Sequence, residues 1–201
     1  MATLGDLKAR IADEILKRNL TTQIAQHIAR AIEHFADRRF WFNEAKFTAT
    51  TTGGNYAVGT PAELRKIDML SLTVGGSAYP LESRAWSWVE DMQGFPSAGQ
   101  PTDYALSSGQ ILLYPTPDQA YALAIIGIFD LPALATDADS NAWTNEGADL
   151  IAGRTRMTLY RDVLRDAEGV ALAKDAISEA ESALNRKTVM ALGQGRVRGY
   201  L

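Results

Sequence analysis

The spacing of apolar residues changes twice along the chain, and this change constrains the fold more than any other feature. Up to Phe40 apolar residues recur every three or four positions, between residues 43 and 131 they follow short strand-like segments, and from residue 145 the helical spacing returns. Positions three and four apart share one face of a helix, whereas alternate positions share one face of a strand. The pattern therefore predicts an α+β fold, in which N- and C-terminal helices form a bundle with an inserted antiparallel β-rich lobe.

The same change sets the expected domain boundaries. We predict a helical bundle from residues 1–42 and 132–192, a β-rich insertion lobe outside it from residues 43–131, and an extended C-terminal tail from residues 193–201. The chain has 201 residues, which is long enough to bury a sizeable core. The tail contains three glycines in nine residues and no periodic pattern, so we expect it to be ordered only against a partner.

Capping residues predict where individual helices begin. Thr3 and Asp6 have the spacing of a capping box, in which each side chain accepts a hydrogen bond from the backbone of the other residue. The other helix starts are expected at short polar residues that can accept a backbone N–H. In chain order, the expected caps are Thr3, Thr21 or Thr22, Ser83, and Thr144 or Asn145.

Glycine turns divide the middle of the chain into hairpins. Each predicted hairpin consists of a strand, a turn that contains glycine, and a return strand. The long apolar run YALAIIGIFDL is expected to be a further strand, for a total of about seven. The three predicted hairpins are FNEAKFTATTT-GGN-YAV, LRKIDMLSLTV-GGS-AYPL and TDYALSS-GQ-ILLYP.

The last helical segment carries a narrow, alanine-rich apolar stripe. Small side chains let two helices approach closely, so the stripe suits either packing inside a bundle or a seam between subunits. Both interpretations stay open from the sequence alone. The stripe consists of Val170, Ala173, Ile177, Ala180 and Leu184.

Both histidines lie in one predicted helix, within RNLTTQIAQHIARAIEHFADRRFW, beside several arginines. His27 and His34 are seven residues apart, which corresponds to about 10 Å along a helix. A helical metal pair requires ligands three or four residues apart, so that both nitrogens reach one ion at about 2 Å. The spacing indicates that the histidines lie at the boundary of a packing helix rather than in a metal or acid–base site.

The sequence shows none of the usual signatures of catalysis, and we expect no enzyme, no cofactor and no metal site. It contains no cysteine, and its glycine pairs fall in hairpin turns rather than between a strand and a helix as a phosphate-binding loop requires. The acids Asp137 and Asp139 lack the ligand spacing of a calcium loop. No apolar run reaches the roughly 18 residues that a membrane-spanning helix needs.

The tryptophans offer an alternative function, because aromatic side chains can form a platform for a sugar ring or a base. Two of them lie in SRAWSWVEDM, a predicted short helix that turns either Trp86 and Val89 or Trp88 and Met92 inward. None of the tryptophans alternates with basic residues, so packing is the favoured interpretation for Trp41, Trp86, Trp88 and Trp143.

Charge is segregated along the chain. Between Arg84 and Arg154 there are nine acidic residues and no Lys or Arg, while no acid follows Glu181. The net charge of −4 therefore divides into −9 in this block and +5 elsewhere. One interpretation is an acidic loop region exposed to solvent; the other is complementary surfaces that attract each other between copies.

The order of these segments resembles the head-to-tail adaptor (connector) proteins of tailed bacteriophages. The resemblance covers roughly residues 4–187 and rests on the opening helices that end at RRFW, the segment EAKFTATTTGGNYAVGTPAELRKIDMLSL, and PTDYALSSGQILLYPTPDQAYALAIIGIFDLPALATDADSNAW. It implies a virion structural protein, assembled in the host cytoplasm, that forms a ring at the head–tail junction. The implied ring commonly has twelve copies.

The implied partners of such a ring are the portal protein on one side and tail or nozzle proteins on the other. Double-stranded DNA would pass through a central channel without specific binding, and neither an enzyme nor a cofactor is implied. A tail hub or tube component and a carbohydrate- or receptor-binding virion module are the alternative functions. The long terminal helices argue against a hub, which is expected to be a sandwich or barrel.

If the chain is a head-to-tail adaptor, two sets of residues are its candidate functional sites. Positive charges on a channel wall would neutralise DNA phosphates and hold the DNA, so we expect acids on that wall. Asp137 and Asp139 are the first candidates to face the channel. The tail offers arginines, apolar area and an aromatic side chain to a neighbouring subunit or the portal. Its candidate interface residues are Arg196, Val197, Arg198, Tyr200 and Leu201.

Overall fold

The computed structural model describes residues 1–17, 19–95 and 97–193. These residues form two compact units: Met1–Asn43 with the described residues from Leu131 onward, and Glu44–Asp130. The first unit is built from helices and the second mainly from antiparallel strands, which confirms the predicted α+β class. Of the predicted tail, Gly193 is the last residue of the final helix, and residues 194–201 lie outside the described residues.

The described residues contain six α-helices and one π-helical turn. Their order is α1 (Leu4–Glu14), α2 (Thr21–Ala36), α3 (Trp86–Gln93), α4 (Ala142–Asn145), α5 (Ala148–Leu159) and α6 (Ala167–Gly193). The π-helical turn, Tyr160–Leu164, continues α5, and Arg165 ends it in the left-handed region at φ 53°. All of these except α3 belong to the helical unit.

Helix α5 lies at the centre of the helical unit and packs against α1, α2 and α6. Apolar residues occur on several sides of α5. Neighbouring helices can therefore pack against each of these sides. Burial of this surface is the main favourable contribution to the fold of the unit. The fully buried side chains include Ile11 of α1, Ile24 of α2, and Leu150, Ile151, Ala152 and Leu159 of α5.

The alanine-rich stripe of α6 packs within the bundle. Ala173 and Leu184 are buried, while Ile177 and Ala180 contact the same core from partly buried positions. The approach to α5 is close, because a Cβ atom added to Gly153 would lie 3.1 Å from Cγ1 of Ile177. Members of the stripe therefore pack against the core of their own chain.

The first predicted cap is confirmed and the others are wrong. Thr3 Oγ1 accepts the N–H of Asp6 at 3.1 Å, and the Asp6 carboxylate accepts the N–H of Thr3 at 2.9 Å. Helix α4 also begins with a capping box, one turn before the predicted cap at Thr144 or Asn145. Asn141 is its N-cap, and Thr144 is the third residue of the helix. Three further helices start without a side-chain cap: α2 follows Leu20, α3 follows Ala85 and α5 follows Gly147.

The second unit contains two four-stranded sheets and one two-residue pair. The strand orders are β1-β10-β3-β4 and β2-β8-β7-β5, and β6 pairs with β9. The strands are β1 (Glu44–Thr50), β2 (Ala57–Gly59), β3 (Leu64–Val74), β4 (Ser77–Pro80), β5 (Glu82–Ser83), β6 (Ala98–Gly99), β7 (Asp103–Ser107), β8 (Gln110–Tyr114), β9 (Thr116–Pro117) and β10 (Ala122–Phe129).

Two of the three predicted hairpins are confirmed, namely β3–β4 and β7–β8. The first is wrong, because β1 pairs with β10 over seven residues whereas β2 pairs with β8. The glycine turn is present between Thr52 and Asn55, but the two strands beside it enter different sheets. The long apolar strand β10 provides a longer partner for β1 than the three-residue strand β2 does, and pairing with it covers more apolar surface.

Strand β10 runs through the middle of its sheet, between β1 and β3, and its side chains enter the core of this unit. Helix α3 packs on the same unit through Val89, while Trp86 is 55% exposed, so the predicted inward pair Trp86 and Val89 is only half correct. Trp88 is partly buried, with its ring edge-on to Tyr114 at 5.5 Å. The core of the unit includes Leu70, Leu72, Tyr104, Ile111, Leu113, Leu123 and Ile125.

Replacing Gly127 by alanine should destabilise the second unit. The ladder between β10 and β3 shifts register after Ile126, and a Cβ atom on Gly127 would overlap the carbonyl oxygen of Lys66. Relieving that overlap in a packed sheet costs about 1–3 kcal/mol. We expect Gly127→Ala to lower the free energy of unfolding in urea by that amount.

The matched control for this experiment is Gly59→Ala in β2. A Cβ atom there would have no neighbouring atom within 4 Å, so this substitution should be neutral or slightly stabilising. Equal stability of the two variants, measured by tryptophan fluorescence, would contradict the close approach of β3 to β10.

Candidate functional site

His27 is a buried packing residue of α2 that binds α5. Its Nδ1 atom lies 2.7 Å from Oγ1 of Thr158. The Thr158 hydroxyl also lies 3.2 Å from the carbonyl oxygen of Arg154 and 3.0 Å from that of Thr155 in its own helix. Burial lowers the pKa of His27, and the positive charge of Arg30 lowers it further.

His34 lies at the surface of the same helix, with its ring edge-on to Phe35 at 4.8 Å. Partial burial lowers the pKa of His34, and so do the nearby charges of Arg154 and Arg38. The part of the chain that the structure describes contains no group of three or more potential metal ligands. The two histidines therefore have different surroundings, and each is explained by packing or by its charged neighbours.

Basic side chains in and just after α2 lie near basic side chains of α5 and of the π-helical turn, and we call these residues the basic seam. Arg30 and His34 are four residues apart on one side of α2, and Arg38 follows the end of that helix at Ala36. The His27–Thr158 contact joins the two helices, the charge of Arg154 acts on His34, and the charge of Arg38 acts on Arg154. The basic seam consists of Arg30, His34, Arg38, Arg154 and Arg161.

Only part of the positive charge of the basic seam is matched by acids. Arg38 pairs with Glu181, and Arg161 pairs with Asp162 at 2.6 Å. Arg154 is half-buried, and its Nη1 atom lies 4.0 Å from the sulfur of Met157. Burial lowers the pKa of Arg154, and the charges of Arg161 and Arg38 lower it further. The seam thus concentrates like charges at one place on the helical unit.

The predicted channel acids lie on a loop that is fixed to the start of α1. The backbone carbonyls of Asp137 and Asp139 accept the N–H groups of Gly5 and Leu4, at 2.9 and 2.8 Å. The Asp137 carboxylate is 71% exposed and pairs with Lys8 at 2.6 Å. The loop therefore satisfies two N–H groups that the first turn of a helix would otherwise leave without a partner.

The carboxylate of Asp139 serves its own loop. It accepts the N–H groups of Thr136 at 2.6 Å and Ala135 at 2.8 Å. The hydrogen bond from the Thr136 backbone holds the pKa of Asp139 below its ordinary value. Of the two acids, Asp137 thus has the carboxylate that is more available to a partner.

An open cleft of about 640 Å³ lies between α1, α5 and α6. Arg10 binds Glu14 and Asp149, both at 2.8 Å, and Arg156 binds Glu14 at 3.1 Å. The positive and negative groups along the cleft are interleaved, so it has no dominant charge. The wall from α6 consists mainly of small residues, Ala176, Ala180, Ser182 and Ala183.

Helix α3 exposes acids and aromatic rings together, and we call these residues the acidic–aromatic patch. Its members are Trp86, Glu90, Asp91 and Phe95. Trp86 is 55% exposed and donates its indole N–H to Glu90 at 3.3 Å, while Phe95 is 72% exposed. Exposed aromatic side chains beside charged groups are typical of protein interfaces.

The C-terminal end of α6 also exposes apolar side chains, Val189, Met190 and Leu192. Beside them, Lys187 pairs with Glu146 at 3.0 Å and lies 5.6 Å from the ring centre of Trp41. Trp143 is buried in the helical core, edge-on to Phe40 and Phe42. None of the helices among the described residues has the length and apolar character that crossing a bilayer would need.

The structure brings Asp137 and Asp139 together on one loop, whereas the predicted tail interface lies outside the described residues. Sequence reasoning missed the basic seam. The sequence places Arg30, His34 and Arg38 four residues apart, but this spacing concerns only one segment of the chain. The contribution of Arg154 and Arg161 depends on how α5 packs, and the sequence pattern does not contain that information.

A family model matches nearly the whole chain. The model of the family described as SU10 adaptor protein matches residues 2–199 of this chain. No protein in the curated set matches it.

The pH dependence of stability should change when His27 is replaced. Because the pKa of His27 is lowered from 6.5 in the folded chain, the unfolded chain binds a proton first as the pH falls. His27 therefore lowers the free energy of unfolding as the pH falls through about 6.5. Above that pH the ring is neutral in both states, and the loss is absent. We expect His27→Asn, which keeps a donor toward Thr158, to reduce this slope between about pH 7.5 and pH 5.5.

Urea unfolding at several pH values measures the slope, and His34→Asn is the comparison. The His34 side chain is exposed, so its replacement should reduce the slope less than that of His27 does. An unchanged slope in His27→Asn would show that the buried ring does not favour its neutral form.

Proposed function

This chain belongs to the SU10 adaptor protein family, and from that membership we propose that it forms a ring between the portal and the tail of a bacteriophage. The family assignment agrees with the resemblance to head-to-tail adaptors in the sequence. It makes the chain a structural component of the virion with an adaptor role. The ring, its place and its contacts are our proposal.

In this proposal the ring has twelve copies and a central channel through which double-stranded DNA passes without specific binding. The portal protein binds one side, and tail or nozzle proteins bind the other, at the head–tail junction. The protein acts by binding and positioning its neighbours rather than by catalysis, and it uses no cofactor.

The family match carries the proposal because it runs from residue 2 to residue 199 and so includes both units. The surfaces described above support it. Separate basic, acidic and apolar exposed areas suit a subunit that contacts several neighbours at once.

We further propose that residues 193–201 bind a neighbouring subunit or the portal. Arg196 and Arg198 would meet acids there, and Val197, Tyr200 and Leu201 would supply apolar contact area. The preceding helix supports this placement, because its last turns expose Val189, Met190 and Leu192 beside the start of the segment.

Assembly can be tested with the purified full chain and a chain that lacks residues 193–201. Light scattering with mass determination and negative-stain imaging should show rings of the full chain, alone or on the portal. The shortened chain should keep the circular dichroism and unfolding midpoint of the full chain but lose ring formation or portal docking. As the matched control, Arg196→Lys and Arg198→Lys together keep the positive charge that is to meet the acids, so this chain should still assemble.

A full chain that forms no ring and does not bind the portal would contradict the proposed function. Normal assembly and docking of the shortened chain in moderate salt would contradict only the role of the segment.

The acids of the loop at residues 137–139 are proposed to line or rim the channel. Asp137 is the better test position because Asp139 also stabilises its own loop. Each phosphate that a protein neutralises adds salt-dependent affinity for DNA. We expect the wild-type ring to bind duplex DNA weakly even in low salt, and rings of Asp137→Lys to bind it with a steeper salt dependence.

Glu168→Lys, in the exposed first turn of α6, changes the charge equally elsewhere on the helical unit. It should leave DNA binding near that of wild type. Tight DNA binding by the wild-type ring, or the same gain from Glu168→Lys as from Asp137→Lys, would contradict the placement of the loop at the channel.

A further inference from the structure

One face of helix α3 packs on the second unit, and the opposite face is exposed. Val89 and Trp88 contact the core of that unit, while Phe95, just after the helix, is 72% exposed. Residues three or four apart lie on the same side of a helix, so the exposed residues of α3 form one continuous strip. The strip consists of Trp86, Ser87, Glu90 and Asp91.

The two acids of this strip are not neutralised within the described part of the chain. Neither Glu90 nor Asp91 forms an ion pair with a described residue, and Glu90 accepts the indole N–H of Trp86 at 3.3 Å. The preceding cation, Arg84, is held by two other acids, both at 2.6 Å, and the block that follows it contains no Lys or Arg. The acidic–aromatic patch therefore calls for a partner with positive charge and apolar or aromatic area.

The C-terminal tail, residues 193–201, has this complementary chemistry. It contains two arginines and no acid, together with a valine, a tyrosine and a leucine. Alternate residues of an extended segment lie on the same side. In a tail that binds as an extended segment, one side therefore presents the row Arg196, Arg198 and Tyr200.

The lengths of the two partners also agree. Helix α3 has eight residues and is therefore about 12 Å long. An extended segment advances about 3.3 Å per residue, so the row from Arg196 to Tyr200 is about 13 Å long. The row can thus follow the exposed strip from one end to the other. A guanidinium forms charge-assisted hydrogen bonds with a carboxylate and also stacks on an indole ring, and the patch offers both groups.

We propose that the C-terminal tail of one copy binds the acidic–aromatic patch of a second copy, with Arg196 and Arg198 against Glu90 and Asp91. The inference rests on the proposed function, in which the tail binds a neighbouring subunit or the portal, and it names the surface that receives the tail. Each copy has one tail and one patch, so the contact is head-to-tail. Such a contact can continue around a closed ring.

A charge reversal tests this pairing. The patch variant carries Glu90→Arg and Asp91→Arg, and the tail variant carries Arg196→Glu and Arg198→Glu. Each variant places like charges in every contact, so self-association, measured by analytical ultracentrifugation in low salt with and without the portal, should weaken roughly tenfold or more. In a combined chain with all four substitutions every contact again joins opposite charges, and association should return.

Matched controls change the net charge equally at positions outside the patch and the tail. Lys17→Glu with Lys174→Glu corresponds to the tail variant, and Glu63→Arg with Glu168→Arg corresponds to the patch variant. All four residues are exposed, and we expect these chains to associate as wild type does. Thermal unfolding of each variant checks that the monomer is folded.

Cross-linking tests which copy supplies the tail. The chain contains no cysteine, so a disulfide can form only where cysteines are introduced. Under mild oxidation, a mixture of Asp91→Cys and Arg198→Cys chains should give a covalent dimer that joins these two positions, as identified by mass spectrometry of the linked peptides. A mixture of Lys174→Cys and Arg198→Cys chains should not give the corresponding link.

The proposal is overturned if either charge variant associates like wild type, if the combined chain does not recover, or if the first cysteine pair gives no dimer. A link that forms only within single chains that carry both Asp91→Cys and Arg198→Cys also overturns it, because the tail would then cover the patch of its own copy. Loss of portal docking in the tail variant without recovery in the combined chain would assign the tail to the portal instead.

The proposed function is judged separately, by ring formation and portal docking of the wild-type chain. Rings that form and dock normally in spite of these substitutions would overturn the tail–patch contact and leave the proposed function intact. A wild-type chain that neither forms a ring nor binds the portal would contradict both.

Discussion

The burial of α5 is the interaction on which the rest of the structure depends. Leu150, Ile151, Ala152 and Leu159 are fully buried among α1, α2 and α6, and burial of each large apolar side chain contributes about 1.5–3 kcal/mol. Because α1 and α2 precede the β-rich residues and α5 follows them, this burial joins distant parts of the sequence. The residues between them are thereby free to form a unit with its own core.

The second unit is organised on the same principle by its last strand. Strand β10 is the last strand of the unit, and it pairs with β3 and with β1, the first strand. The sheet therefore cannot form until the whole unit has been synthesised. This long-range pairing also explains why the first glycine turn does not close a hairpin. Both units therefore rely on contacts between residues far apart in sequence, which fold more slowly than local ones.

Packing leaves most of the charged side chains at the surfaces, where those of the described residues contact neighbouring groups. The backbone carbonyls of Asp137 and Asp139 support a helix start, His27 contacts Thr158, and Arg154 lies near the charges of Arg161 and Arg38. These are arrangements that suit recognition of neighbouring proteins, in agreement with membership of an adaptor family. The distribution of charge along the sequence indicated such surfaces, but the structure decides which residues share one.

The sequence by itself determined the α+β class, the capping box at Thr3, two of the three hairpins and the strand status of residues 122–129. These features depend on local periodicity and on turn residues, and a few neighbouring residues are enough to define both. The tertiary structure alone decided the partner of β1, the packing of the α6 stripe on α5, and the contact of His27 in α2 with Thr158 in α5. Each of these is a contact between distant segments, and it follows from which surfaces bury the most apolar area together rather than from any local pattern.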